Sequence, residues 1–84
     1  MYSIRDKVME NLVRYLISSV TNTEDFEITM DESKPKATII KVKANEDDMG
    51  KIIGRNGKTI SSIRTILRSA SAKSGKRYIL RVNE

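Results

Sequence analysis

The residues most able to do chemistry sit together in Lys51-Ile52-Ile53-Gly54-Arg55-Asn56-Gly57-Lys58-Thr59-Ile60. Glycines without Cβ atoms, cations and an amide are the residue types that hold phosphate. The glycines admit a close approach to the backbone, and exposed N–H groups and positive charge meet the anion there. Two motifs compete for this stretch. Gly57-Lys58-Thr59 has the ending of a nucleotide-binding P-loop, but that loop needs a glycine five positions before Gly57, where Ile52 stands. The chain is also short for the parallel sheet that carries such loops. The other reading is a four-residue bend, Gly54-Arg55-Asn56-Gly57, joining two helices. It could be a plain turn; Arg55, Lys58, Lys51 and Asn56 argue instead for an anion.

Other chemistries find little support. The chain has no histidine and no cysteine, which leaves no disulfide, no thiolate metal site and no familiar nucleophile. Asp47-Asp48 is a suggestive carboxylate pair. Adjacent residues point apart on a helix, however, and capping explains these two without further assumption. No enzyme, cofactor or metal is expected. Charge is unevenly spread: residues 1–50 carry 7 Lys/Arg against 10 Asp/Glu, and residues 51–84 carry 9 against 1. The net charge of +5 is therefore a balance of −3 and +8, with the basic half favouring a polyanion partner.

The elements that must position the bend follow from periodicity. Residues 3–21 read as a helix capped by Ser3, with Ile4, Val8, Leu12, Leu16 and Val20 on one face, joined by Met9, Val13 and Ile17. That stripe is expected in the core, with Arg5, Asp6, Glu10 and Arg14 towards water. Phe26, Ile28 and Met30 alternate with polar residues in a strand over 25–31, and 37–44 makes a second strand. The turn Ser33-Lys34-Pro35-Lys36 between them predicts an antiparallel hairpin. Asn45 begins a helix of about 46–53, and a further helix spans about 58–73. The latter's expected buried residues are Ile60, Ile63, Ile66, Leu67 and Ala70, with Gly75 as its stop. Residues 77–83 alternate in a last strand. No apolar run of signal-peptide or membrane-span length leads the chain, so a cytoplasmic protein without membrane association is expected. The result is one α+β domain over 1–84.

An apolar pair, G-x-x-G, an apolar residue three positions on and two flanking helices resemble the signature of the KH domain. The order helix, strand, strand, helix, helix, strand resembles its type II form across nearly the whole chain. The stretch from Met49 to Arg64 is similar to the small bacterial single-KH proteins of the KhpA family. This resemblance implies a type II KH fold (α-β-β-α-α-β), with a three-stranded mixed sheet and three helices packed on one face. It also implies binding of single-stranded RNA, the loop 54–57 holding the backbone of four nucleotides. Bases would lie over an adjacent apolar groove, with Ile53 and Ile60 facing it. The basic loop Lys73-Ser74-Gly75-Lys76-Arg77 would add phosphate contacts through Lys73 and Lys76.

The same resemblance implies an RNA chaperone or post-transcriptional regulator, homodimers, pairing with KhpB (a larger KH-containing RNA-binding protein) and a link to cell shape. No aromatic platform for base stacking is evident. Two alternatives remain at this point. One is a protein-interaction subunit using Ile52, Ile53 and the G-x-x-G edge as a dimer interface. The other is a DNA-binding helix-turn-helix, disfavoured because the second helix lacks Gln or Asn to read base edges.

Overall fold

The structure, a computed structural model, describes residues 4–72 and 75–83. Ser3, Lys73 and Ser74, to which capping and loop roles fell above, lie outside the described residues. Helices α1 (Ile4–Thr21), α2 (Glu46–Ile53) and α3 (Lys58–Ser71) accompany strands β1 (Glu27–Lys34), β2 (Ala37–Lys43) and β3 (Arg77–Val82). The sheet has the order β1-β2-β3. β1 pairs antiparallel with β2, and β2 pairs parallel with β3. This is the α+β arrangement of a type II KH fold.

Each element has a local cause. α1 ends where Asn22 takes a left-handed φ of 62° and returns its N–H to Ser18 O at 2.8 Å, a short polar side chain tolerating what most residues cannot. The hairpin turns at Pro35 and Lys36, with a register irregularity between Asp31 and Lys34, so β1 runs further than its alternation suggested. Asn45 caps α2: its Oδ1 accepts the Asp48 N–H at 2.8 Å while its Nδ2 donates to Asp48 Oδ2 at 3.0 Å. Asp48 is thus a capping residue, as expected of that acidic pair.

The core forms between the helices and the inner face of the sheet. Ile40 and Val42 of β2 and Tyr78 and Leu80 of β3 meet Val13 and Ile17 of α1, Ile52 of α2, and Ile60, Ile63 and Leu67 of α3. Two expectations about faces are corrected here. On α1 the buried row is Asp6, Met9, Val13, Ile17 and Thr21, while Ile4 and Val8 stay exposed. The helix has two adjacent apolar rows, making a stripe too broad for periodicity to give its centre; packing on the sheet chose the second row. On α3 Ile66 and Ala70 are exposed, because the core-facing arc stops at Ile60, Ile63 and Leu67.

The largest departure is Asp6, expected in water but fully buried. Its Oδ1 accepts the Tyr78 hydroxyl at 2.6 Å, and both carboxylate oxygens lie 3.2 Å from Lys76 Nζ. Burial acts to raise this carboxyl. Hydrogen bonds with Glu32, Tyr78 and Lys76, and the Lys76 charge, outweigh it and hold the group well below the usual carboxylate range. The shared bond with Asp6, then burial, push Glu32 up; burial and the bond to Asp6 push the Tyr78 phenol up. A buried charge is tolerable only with such partners.

Candidate nucleic-acid interface

Helix α2 ends at Ile53 because Gly54 has φ 77° and ψ 173°, a region that essentially only glycine occupies. A Cβ there would also stand 2.6 Å from Thr59 Cβ and 2.9 Å from Thr59 N, so the bend is folded tightly against the start of α3. Gly57 differs. Its φ of 74° and ψ of 14° are left-handed, as are those of Asn56 (56°, 27°), and open space surrounds the position of its missing Cβ. The first glycine is required by the protein's own packing; the second leaves room outside.

Hydrogen bonds inside the bend run from Gly54 N to Gly50 O (2.9 Å), Gly57 N to Gly54 O (3.1 Å) and Lys58 N to Arg55 O. No side chain caps α3. The amides of its first turn, next in line as Thr59 and Ile60, are the groups a helix leaves without internal partners, at its dipole-positive end. Lys51, Arg55, Asn56 and Lys58 are exposed, and none of the three cations makes an ion pair with a described residue.

The remaining residues singled out above fare unequally. Ile53 is 37% exposed beside the bend, whereas its neighbour Ile52 is fully buried and unable to form an interface. Ile60 belongs to the core cluster. Lys76 stands with Asp6 and 3.9 Å from Glu32 Oε1, its ammonium 5.9 Å from the Tyr78 ring centre, away from the four-residue bend in its bonding.

A cleft that the sequence reading missed runs between α3 and the free edge of β3. Arg64, Arg68 and Ser71 line one side and Arg77 to Leu80 the other. Arg64 Nη2 donates to Leu80 O at 3.2 Å, covering part of the strand edge. Arg64 and Arg68 follow Gly57 around one side of α3, about 9 and 15 Å beyond Lys58 along the axis at 1.5 Å per residue. The available signal was the i, i+4 spacing of Arg64 and Arg68 and their offset from the Ile60–Ile63–Leu67 arc. Their relation to β3 required the fold. This cleft sets Arg64, Arg68 and Arg77 beside Tyr78, Ile79 and Leu80.

Comparison with known proteins places this geometry. The KhpA/KhpB, KH domain model matches residues 10–82. The chain belongs to this family. Among similar relatives, the RNA-binding protein KhpA of Borreliella burgdorferi is 33% identical over 84% of this chain and 87% of its own length. RNA-binding protein KhpA of Listeria monocytogenes is 31% identical over 90% of this chain and its full length. That of Clostridium acetobutylicum is 28% identical over 90% of this chain and 96% of its own. No solved structure matches. As a family member, this KhpA/KhpB-type KH domain has its glycine-bounded bend inside the matched region. Among the described residues no helix is long and apolar enough to cross a membrane.

Proposed function

We propose that this chain binds single-stranded RNA without catalysis, clamping the sugar-phosphate backbone at Gly54-Arg55-Asn56-Gly57. The observation carrying this reading is a solvent-facing bend whose three cations have no ion-pair partner among the described residues, around a helix start without a side-chain cap. Arg55, Lys58 and Lys51 supply charge, Asn56 an amide, and the first amides of α3 directional donors. Arg64 and Arg68 continue the path, and Ile53 offers an apolar contact to a base. Ile60 supports that surface from beneath. Kinship with RNA-binding proteins KhpA gives independent support.

A clamp on three or four phosphates should bind on the order of micromolar or more weakly at physiological salt. With a slope of roughly −0.7 per phosphate, raising salt from about 50 to 200 mM should weaken binding roughly twenty- to fifty-fold. Such weakness is relieved by multivalency, so homodimers or a complex with KhpB, acting together as a cytoplasmic RNA chaperone or regulator, form part of the proposal. Exposed Ile4, Val8 and Ile66 support an association face. The protein-interaction alternative loses one of its two anchors with Ile52 in the core.

The decisive experiment is Arg55→Asp with Asn56→Asp, both glycines kept, assayed against a short single-stranded RNA. Affinity should fall at least tenfold (about 1.4 kcal/mol) with the urea midpoint unchanged. Undiminished binding by the folded variant would overturn the clamp.

A further inference from the structure

The free edge of β3 offers main-chain groups to the cleft beside α3, and one of them is already taken. Arg77 N donates to Lys36 O at 2.9 Å and Asn83 N to Val42 O at 2.8 Å, so the main-chain groups at 77, 79 and 81 face β2. Those of Tyr78, Leu80 and Val82 therefore turn to the outer edge. The N–H and C=O of one strand residue make an adjoining donor and acceptor, and the next such pair lies two residues, about 6.6 Å, away. At Leu80 the acceptor is occupied: Arg64 Nη2 donates to Leu80 O at 3.2 Å. The charged side chains lining this cleft are Arg64, Arg68 and Arg77, which can donate but not accept. Ser71 Oγ lies about 10 Å beyond Arg64 along α3 and bonds Arg68 O. Around Leu80 the cleft thus presents donors.

A strand held by its phosphates at the bend sets its bases beside it, and Arg64 stands about 9 Å beyond Lys58 along α3. A base edge reaching this point meets the Leu80 N–H and the other N–H groups of a guanidinium whose direction is fixed by its bond to the strand. Guanine presents two adjacent acceptors, O6 and N7, which match such donors. Adenine presents N7 beside the N6 amine, and that amine needs the acceptor Arg64 withholds. We propose that Arg64 sets a base preference at this cleft, occupying Leu80 O so that guanine is favoured over adenine. The inference rests on the clamp reading and adds specificity to it. A base is favoured over a phosphate because the Leu80 N–H and the fixed guanidinium edge form a row of directed donors, while the exposed cations of the bend serve the backbone charge.

The test compares single-stranded (UG)4 and (UA)4, roughly two clamp footprints long, which offer a purine at every second position in any register. Wild type should bind (UG)4 about fivefold or more tightly than (UA)4 (about 1 kcal/mol, the lower end for a bidentate base contact). Equal binding, or tighter binding of (UA)4, overturns the proposal without any variant. Arg64→Ala, at an exposed position where alanine suits the helix, should release Leu80 O and reduce that ratio by about fivefold or more. An unchanged ratio in the folded variant overturns the proposal. If the log–log salt slope also falls by about 0.7, Arg64 is a phosphate contact instead. Failure of the clamp itself is distinct: Arg55→Asp/Asn56→Asp would then leave both RNAs bound, whereas a working clamp weakens both by one factor and keeps their ratio.

Discussion

Two basic segments flank α3, and the fold treats them in opposite ways. At the bend, Arg55 and Lys58 project into water with no described acid beside them. At the other end Lys76 is drawn onto Asp6, a residue 70 positions away, with Glu32 and the Tyr78 ring completing its surroundings. Both segments are rich in cations and contain glycine at positive φ. The difference teaches that a cation is available to a ligand only where no other element brings an acid to it. Lys76 ties α1 to the start of β3 through Asp6, while the cations of the bend stay in water.

The contrast can be broken from either side. The largest effect is expected at Asp6. Asp6→Ala strands Lys76 and the Tyr78 hydroxyl and should cost about 3 kcal/mol in urea unfolding, without altering RNA affinity of the folded protein. The pH dependence has a definite sign. Because Asp6 is held below its ordinary value of 3.8, its contribution is present above about pH 4 and is lost as pH falls further. Glu32, raised from 4.5, contributes in the opposite sense, its share present below that value and lost as pH rises. Asp6→Asn should therefore unfold more easily near pH 7 and show a flatter acid limb; an acid limb as steep as wild type would remove Asp6 from this role.

The two glycines of the bend should separate next. Gly54→Ala meets Thr59 and a forbidden backbone region, and should cost about 2 kcal/mol while weakening RNA binding. Gly57→Asn, left-handed and in open space, should cost under about 1 kcal/mol. Equal destabilisation would show that the bend tolerates side chains uniformly. A smaller effect sharpens the comparison directly. Arg55→Gln should lower the RNA salt slope by about 0.7, whereas Lys76→Gln should leave the slope unaltered and reduce stability instead. The reverse would exchange their roles. Least of all, Thr38→Val should raise the free energy of unfolding in urea by up to about 1 kcal/mol. Thr38 faces Tyr78 in register, yet its buried Oγ1 finds no partner among the described residues and stands outside the Asp6 network.

Much of the bend was legible in the residues, because its signals are local. Gly54, Asn56 and Gly57 permit positive φ, Asn45 and Asp48 cap within three positions, and Pro35 marks the hairpin. The α1 face was not legible. Ile4, Val8 and Leu12 are as apolar as Met9, Val13 and Ile17, and only contact with the sheet distinguishes them. Arg64 and Arg68 were visible as cations but not as the wall of a cleft, since β3 is supplied by a later stretch of chain.

What the chain determined by itself was the run of elements, the glycine-bounded interruption between α2 and α3 and the basic C-terminal half. These depend on preferences expressed within a few neighbouring residues. Tertiary structure decided the parallel pairing of β2 with β3, the burial of Asp6 and the choice between Arg55 in water and Lys76 in an ion pair. Those outcomes are set by which distant side chains share one low-dielectric space, and no local preference carries that information.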